Sequence, residues 1–70
     1  MSFLLVIQIC SLVAMECIPP REQIPLFYNH YDCVSAGYLR SIKILDEIGG
    51  DIVNQTKTHI QFTCTETDNS

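Results

Sequence analysis

The stretch FLLVIQIC, residues 3–10, decides how the rest of the chain is read. It is apolar except for Gln8, and it lies close to the N-terminus of a 70-residue sequence. Three structures compete for it: a cleaved signal peptide, a membrane span and a buried strand. A signal peptide needs a basic start, an apolar centre and a small-x-small cleavage site. Met1-Ser2 carries no positive charge. Cleavage after Ala14 would place Leu12 where a small residue is required, and cleavage before Cys17 would follow Glu16. A membrane span needs about 20 apolar residues, and the run from Phe3 to Met15 falls short of that and contains Gln8 and Ser11. The strand reading fits better. Phe3, Leu5, Ile7 and Ile9 share one face, and Leu4, Val6, Gln8 and Cys10 share the other. The segment is therefore expected to be retained as a strand, with Glu16-Cys17-Ile18 returning beside it and Pro19-Pro20 ending the return.

Cysteine parity points the same way. The sequence holds four cysteines. Removing the N-terminal segment would take Cys10 and leave an odd number, which suits a secreted protein poorly.

A chain of this length forms one domain with a small core, so disulfides, a metal or a partner are expected to reinforce it. Its composition, 47% hydrophobic and 17% charged, is that of a globular protein. The net charge is −4, and Arg21, Arg40, Lys43 and Lys57 are scattered. Scattered cations make no footprint for a phosphate backbone or an anionic membrane surface, so nucleic acid and membrane are not expected partners.

Farther along, PPREQIP (19–25) reads as an extended surface linker because of its prolines. Leu26, Phe27 and Tyr28 are expected to dock onto the core. Asn29 is a good helix N-cap with Asp32 three residues on, in the manner of a capping box. Val34, Tyr38, Ser41, Leu45 and Ile48 recur at helical spacing, and Gly49-Gly50 supplies a stop. A helix over 30–48 follows, with Gly37 inside it where the helix comes close to a sheet. Asp51 can cap a short turn over 52–55. KTHIQFTCT (57–65) alternates as a half-exposed strand, with Ile60, Phe62 and Cys64 inward and His59, Gln61 and Thr63 outward. Residues 66–70 read as a frayed acidic tail. The predicted fold is an α+β minidomain over 1–65: a small antiparallel sheet in β-β-α-β order with one amphipathic helix on one face.

Cys33 on the first helical turn and Cys64 on the last strand are suited to a disulfide between helix and sheet, which would leave Cys10 and Cys17 as a second pair; other pairings stay open. A Cys3His zinc site from Cys17, Cys33, Cys64 and His30 is the alternative, without any C-x-x-C spacing to support it. Cys33 near His30 does not make a nucleophile without an orienting third group. His59 reads as a surface residue. Asp46 and Glu47 point in different directions on a helix and make no acid–base pair. Asn54-Gln55-Thr56 matches a glycosylation acceptor, relevant only in a eukaryotic secretory pathway. Tyr28, Tyr31 and Tyr38 cluster at the helix start, as core-edge tyrosines or a recognition patch. No catalytic, cofactor-binding or metal-binding set is assigned.

CSLVAMECIPP (10–20), YDCVSAGY (31–38) and IQFTC (60–64), with EIG (47–49) and VN (53–54), resemble short uncharacterised proteins encoded by marine tailed bacteriophages. The resemblance implies an accessory protein acting in a bacterial host, and a reducing cytoplasm unless the protein is exported. It implies no activity, cofactor or functional residue. The sequence therefore predicts a non-enzymatic protein that works by contact with an unidentified protein partner, through the open sheet face or an unpaired strand edge, with a homodimer as one form. An exported module stapled by disulfides, starting near Cys17 once an N-terminal signal peptide is cleaved, or a small zinc-stabilised domain, is the alternative.

Overall fold

A computed structural model describes residues 2–67. The elements run β1 (Ser2–Ser11), β2 (Glu16–Cys17), β3 (Arg21–Phe27), α1 (His30–Ile48), α2 (Gly50–Thr56) and β4 (Thr58–Thr67). The fold is α+β: one antiparallel four-stranded sheet with the helices against it.

β1 is the organising strand. It pairs with β4 in unbroken register from Ser2↔Thr67 to Ser11↔Thr58. Its other edge is shared by β2, through Cys10↔Cys17, and by β3, through Ile7↔Arg21 and Phe3↔Phe27. A strand paired along both edges has its backbone polar groups satisfied, and its alternating apolar face is then free to fill a core. Leu5, Ile7 and Cys33 are buried at that core, and Phe3, Phe27, Ala36, Ile44, Ile60, Phe62 and Cys64 pack around them.

α1 starts where its cap chemistry dictates. Asn29 has extended backbone, its Oδ1 accepts from the Asp32 N–H at 2.8 Å, and its Nδ2 donates to Asp32 Oδ2 at 3.1 Å. The helix ends at Gly49, whose φ of 95° is open to glycine at no steric cost and turns the chain directly into α2. Gly37 is buried against Phe62, which lets α1 approach the sheet closely.

Four expectations are corrected. Residues 21–25 are not a linker: Arg21–Phe27 is the edge strand β3. Pro25 fits there because β3 pairs on one side only, and its register with β1 shifts between Phe3 and Leu5. The turn after Asp51 is longer than expected and forms α2. Glu66 and Thr67 are not a tail, since they continue β4 opposite Phe3 and Ser2; the rest of the expected tail lies outside the described residues. Leu26 and Tyr28 are exposed, and of the three residues after the prolines only Phe27 packs on the core.

Candidate interaction site

The hairpin that closes β1 onto β2 leaves an apolar tip in solvent. Cys10 and Cys17 face each other across the ladder, joined by a disulfide with their Cα atoms 4.0 Å apart. The Ile18 N–H donates to the Ile9 carbonyl at 2.9 Å and continues the pairing. Beyond this clamp, Leu12, Val13, Ala14 and Met15 make the turn. The turn does not float. Leu12 N–H donates to the Lys57 carbonyl at 3.2 Å, and Val13 N–H donates to the Thr56 carbonyl at 3.4 Å. Ser11 Oγ donates to that same Thr56 carbonyl at 2.6 Å and accepts from Ala14 N–H at 3.2 Å.

The tip is thus fixed to the end of α2 while its side chains stay out. Leu12 and Val13 are each 65% exposed and Met15 is 87% exposed. Met15 also holds φ at 55°, the left-handed region where an L side chain costs about 1–2 kcal/mol. Glycine or asparagine is the usual solution for such a turn position. A large apolar side chain kept there in solvent contributes nothing to the core, and residues held at such cost concentrate at recognition sites.

Beside the tip, on the helix side of the sheet, α1 has already ended at Ile48. Ile9, Ile18, Ala14, Ile48 and Ile52 line a cleft of about 370 Å³ there. Tip and cleft together form an apolar surface with a rigid backbone. Little order would be lost on docking a partner, which favours affinity.

The remaining sequence-level candidates fall elsewhere. Cys33 and Cys64 are joined by a disulfide that ties the first turn of α1 to β4. All four sulfurs are consumed in the two bridges, so Cys17, Cys33 and Cys64 present no thiolates for a zinc site and Cys33 is no nucleophile. The His30 ring meets Phe3 edge-on at 5.7 Å between centroids. His59 is not the plain surface residue expected: it is half-buried opposite Cys10, its Nε2 lies 3.3 Å from Gln61 Nε2, and its Nδ1 is enclosed without a partner. Asp46 and Glu47 are exposed, as are Tyr28, Tyr31 and Tyr38. Asn54 lies on α2, and Thr56 Oγ1 donates to the Ile52 carbonyl at 2.8 Å. The tip itself was not assigned from sequence, although its signal was there: an apolar turn without Gly, Asn or Asp. On the open sheet face, Leu4, Val6 and Gln8 are half-buried beside the exposed Thr65, Thr63 and Gln61 of β4. Among the described residues, no helix is long and apolar enough to cross a membrane.

No known protein family, curated protein or solved structure matches the chain.

Proposed function

We propose that this chain is a non-enzymatic accessory protein of bacteriophage type, which works by seating its hairpin tip against an apolar segment of a host protein. The observation that carries the reading is Met15: almost fully exposed, apolar, and held at positive φ on a turn braced by a disulfide and by α2. Local stability gains nothing from that arrangement, whereas a binding surface does.

A photoreactive leucine analogue at position 12, or a photoreactive methionine analogue at position 15, tests it in host extract. One discrete protein adduct from both positions, and none from the same chemistry at Lys43, is the expected result. Absence of a discrete adduct, or equal adducts from Lys43, overturns the reading.

The cysteines bear on the compartment we propose. Two disulfides in so short a chain favour an oxidising setting, since thiols stay reduced in bacterial cytoplasm. This weighs for action outside the cytoplasm, with residues 2–11 kept, because they form the central strand.

A further inference from the structure

The sheet has two long outer edges, and they are built differently. The β3 edge carries Arg21 and Glu22, contains Pro25 and is interrupted by the register shift opposite β1. Charge, proline and irregularity are the devices that keep a sheet edge from pairing with another chain. β4 has none of them over its central part. It runs in regular register with β1, contains neither Pro nor Gly, and has no Asp, Glu, Lys or Arg from Thr58 to Thr65. Among the described residues, no strand pairs with its outer edge. A regular edge of this kind presents backbone donors and acceptors to an incoming strand.

The helix above that edge is apolar on the same side. Three contacts fix the rotation of α1. Arg40 Nη1 donates to Gln23 Oε1 at 3.3 Å and its guanidinium lies 5.5 Å from the Phe27 ring, so Arg40 faces β3. Gly37 sits against Phe62. Tyr38 meets Phe62 edge-on at 4.9 Å between centroids, so Tyr38 overhangs β4. Steps of four and seven residues place Tyr31, Val34, Ile42 and Leu45 on the flank of Tyr38, and steps of three add the small Ser35 and Ser41. Tyr31, Tyr38 and Ile42 are exposed. Lys43 and Glu47 fall on the flank of Arg40.

The geometry points to a second copy of this chain as the occupant. β4 pairs antiparallel with its own copy about a two-fold axis normal to the sheet, and the two Tyr38 flanks meet above the seam. An isologous contact sets each patch against itself. At a net charge of −4 most self-contacts are repulsive, but this strip is nearly free of charge. A register centred on Phe62 sets Ile60 opposite Cys64 on the helix side and Gln61 opposite Thr63 on the other. Glu66 then meets Thr58, beside Lys57, and like charges are not paired. A ten-residue strand spans about 30 Å. With shorter molecular dimensions of 20 and 15 Å, the strip buries roughly 1,000 Å² over both copies, the lower limit of a specific interface. The dimer is therefore weak and depends on concentration. It uses a different surface from the tip, so either can fail without the other.

Sedimentation equilibrium of the oxidised full chain, from about 10 µM to about 1 mM, reads the association directly. The expected mass rises from 7.9 kDa towards twice that value. Ile42→Glu and, separately, Thr63→Lys weaken the dimer at least about tenfold, whereas Lys43→Glu and the tip variant L12S/V13S leave it intact. Ile42 and Thr63 are exposed, and circular dichroism checks that each variant is folded. A monomer at every concentration, or a dimer equally strong in Ile42→Glu and Thr63→Lys, overturns the inference.

Discussion

Gly37 lies so close to the ring of Phe62 that a methyl group on its Cα would overlap the ring carbons. That contact sets the distance between α1 and the sheet. It also explains a glycine in the middle of a long helix, where alanine would be worth about 1 kcal/mol more by intrinsic preference. Relief by sliding the helix is blocked one turn earlier by the Cys33–Cys64 bridge.

Gly37→Ala therefore sets helix preference against overpacking. Overpacking costs about 1–3 kcal/mol and wins. The net loss is about 1 kcal/mol, which lowers Tm by roughly 4–8 °C in a domain of this size. A thermal melt followed by circular dichroism checks it. A Tm at or above that of the parent would mean that Phe62 moves aside freely and does not set the spacing.

The two disulfides should differ in weight. Cys33–Cys64 spans 31 residues and Cys10–Cys17 spans 7. Loop-closure entropy in the unfolded chain gives about 4 kcal/mol for the longer loop and about 2 kcal/mol for the shorter. The variant C33A/C64A should lose its cooperative melt or show a Tm lower by more than about 15 °C. C10A/C17A should stay folded with a smaller loss. The reverse order, measured in denaturant titrations, would place the stability of the fold in the hairpin clamp.

Much of this architecture was legible in the residues. The span of α1 follows from Asn29, the helical spacing of its apolar residues and Gly49. β1 and β4 follow from alternation, and their partnership from the need of one helix for a sheet to cover. β3 was not legible, because Pro19, Pro20 and Pro25 argue for a linker. Only the sheet shows that Pro25 sits at an edge where its lost N–H costs nothing. The tip is half-legible: Leu12-Val13-Ala14-Met15 carries no Gly, Asn or Asp for a turn, but exposure and the positive φ of Met15 exist only in three dimensions.

The position of β1 makes a truncation informative. A chain starting at Cys17 loses the strand that pairs with β2, β3 and β4, together with Leu5 and Ile7 of the core. The fragment 17–70 should be unfolded, with a coil-like circular dichroism spectrum and amide proton shifts confined to a narrow range. A cooperative melt from this fragment would show that the remaining strands and α1 fold without β1, and would restore the cleaved form as a stable species.

Met15 offers a separation of stability from recognition. Replacing it with glycine removes the left-handed penalty of about 1–2 kcal/mol and adds the extra backbone entropy of glycine, about 0.5–1 kcal/mol. The balance is a gain of roughly 0.5–1 kcal/mol, or a rise in Tm of about 2–6 °C. Met15→Asn, which also tolerates this backbone, should move in the same direction. Both variants discard the exposed thioether, so the adduct formed from a photoreactive group at position 12 should fall sharply while the fold becomes more stable. A melt run beside the crosslinking assay decides the matter. If Met15→Gly lowers Tm, the methionine side chain supports the hairpin and the tip is structural. If Tm rises and crosslinking is unchanged, recognition rests on Leu12, Val13 and the Ile48–Ile52 cleft, with no part played by Met15.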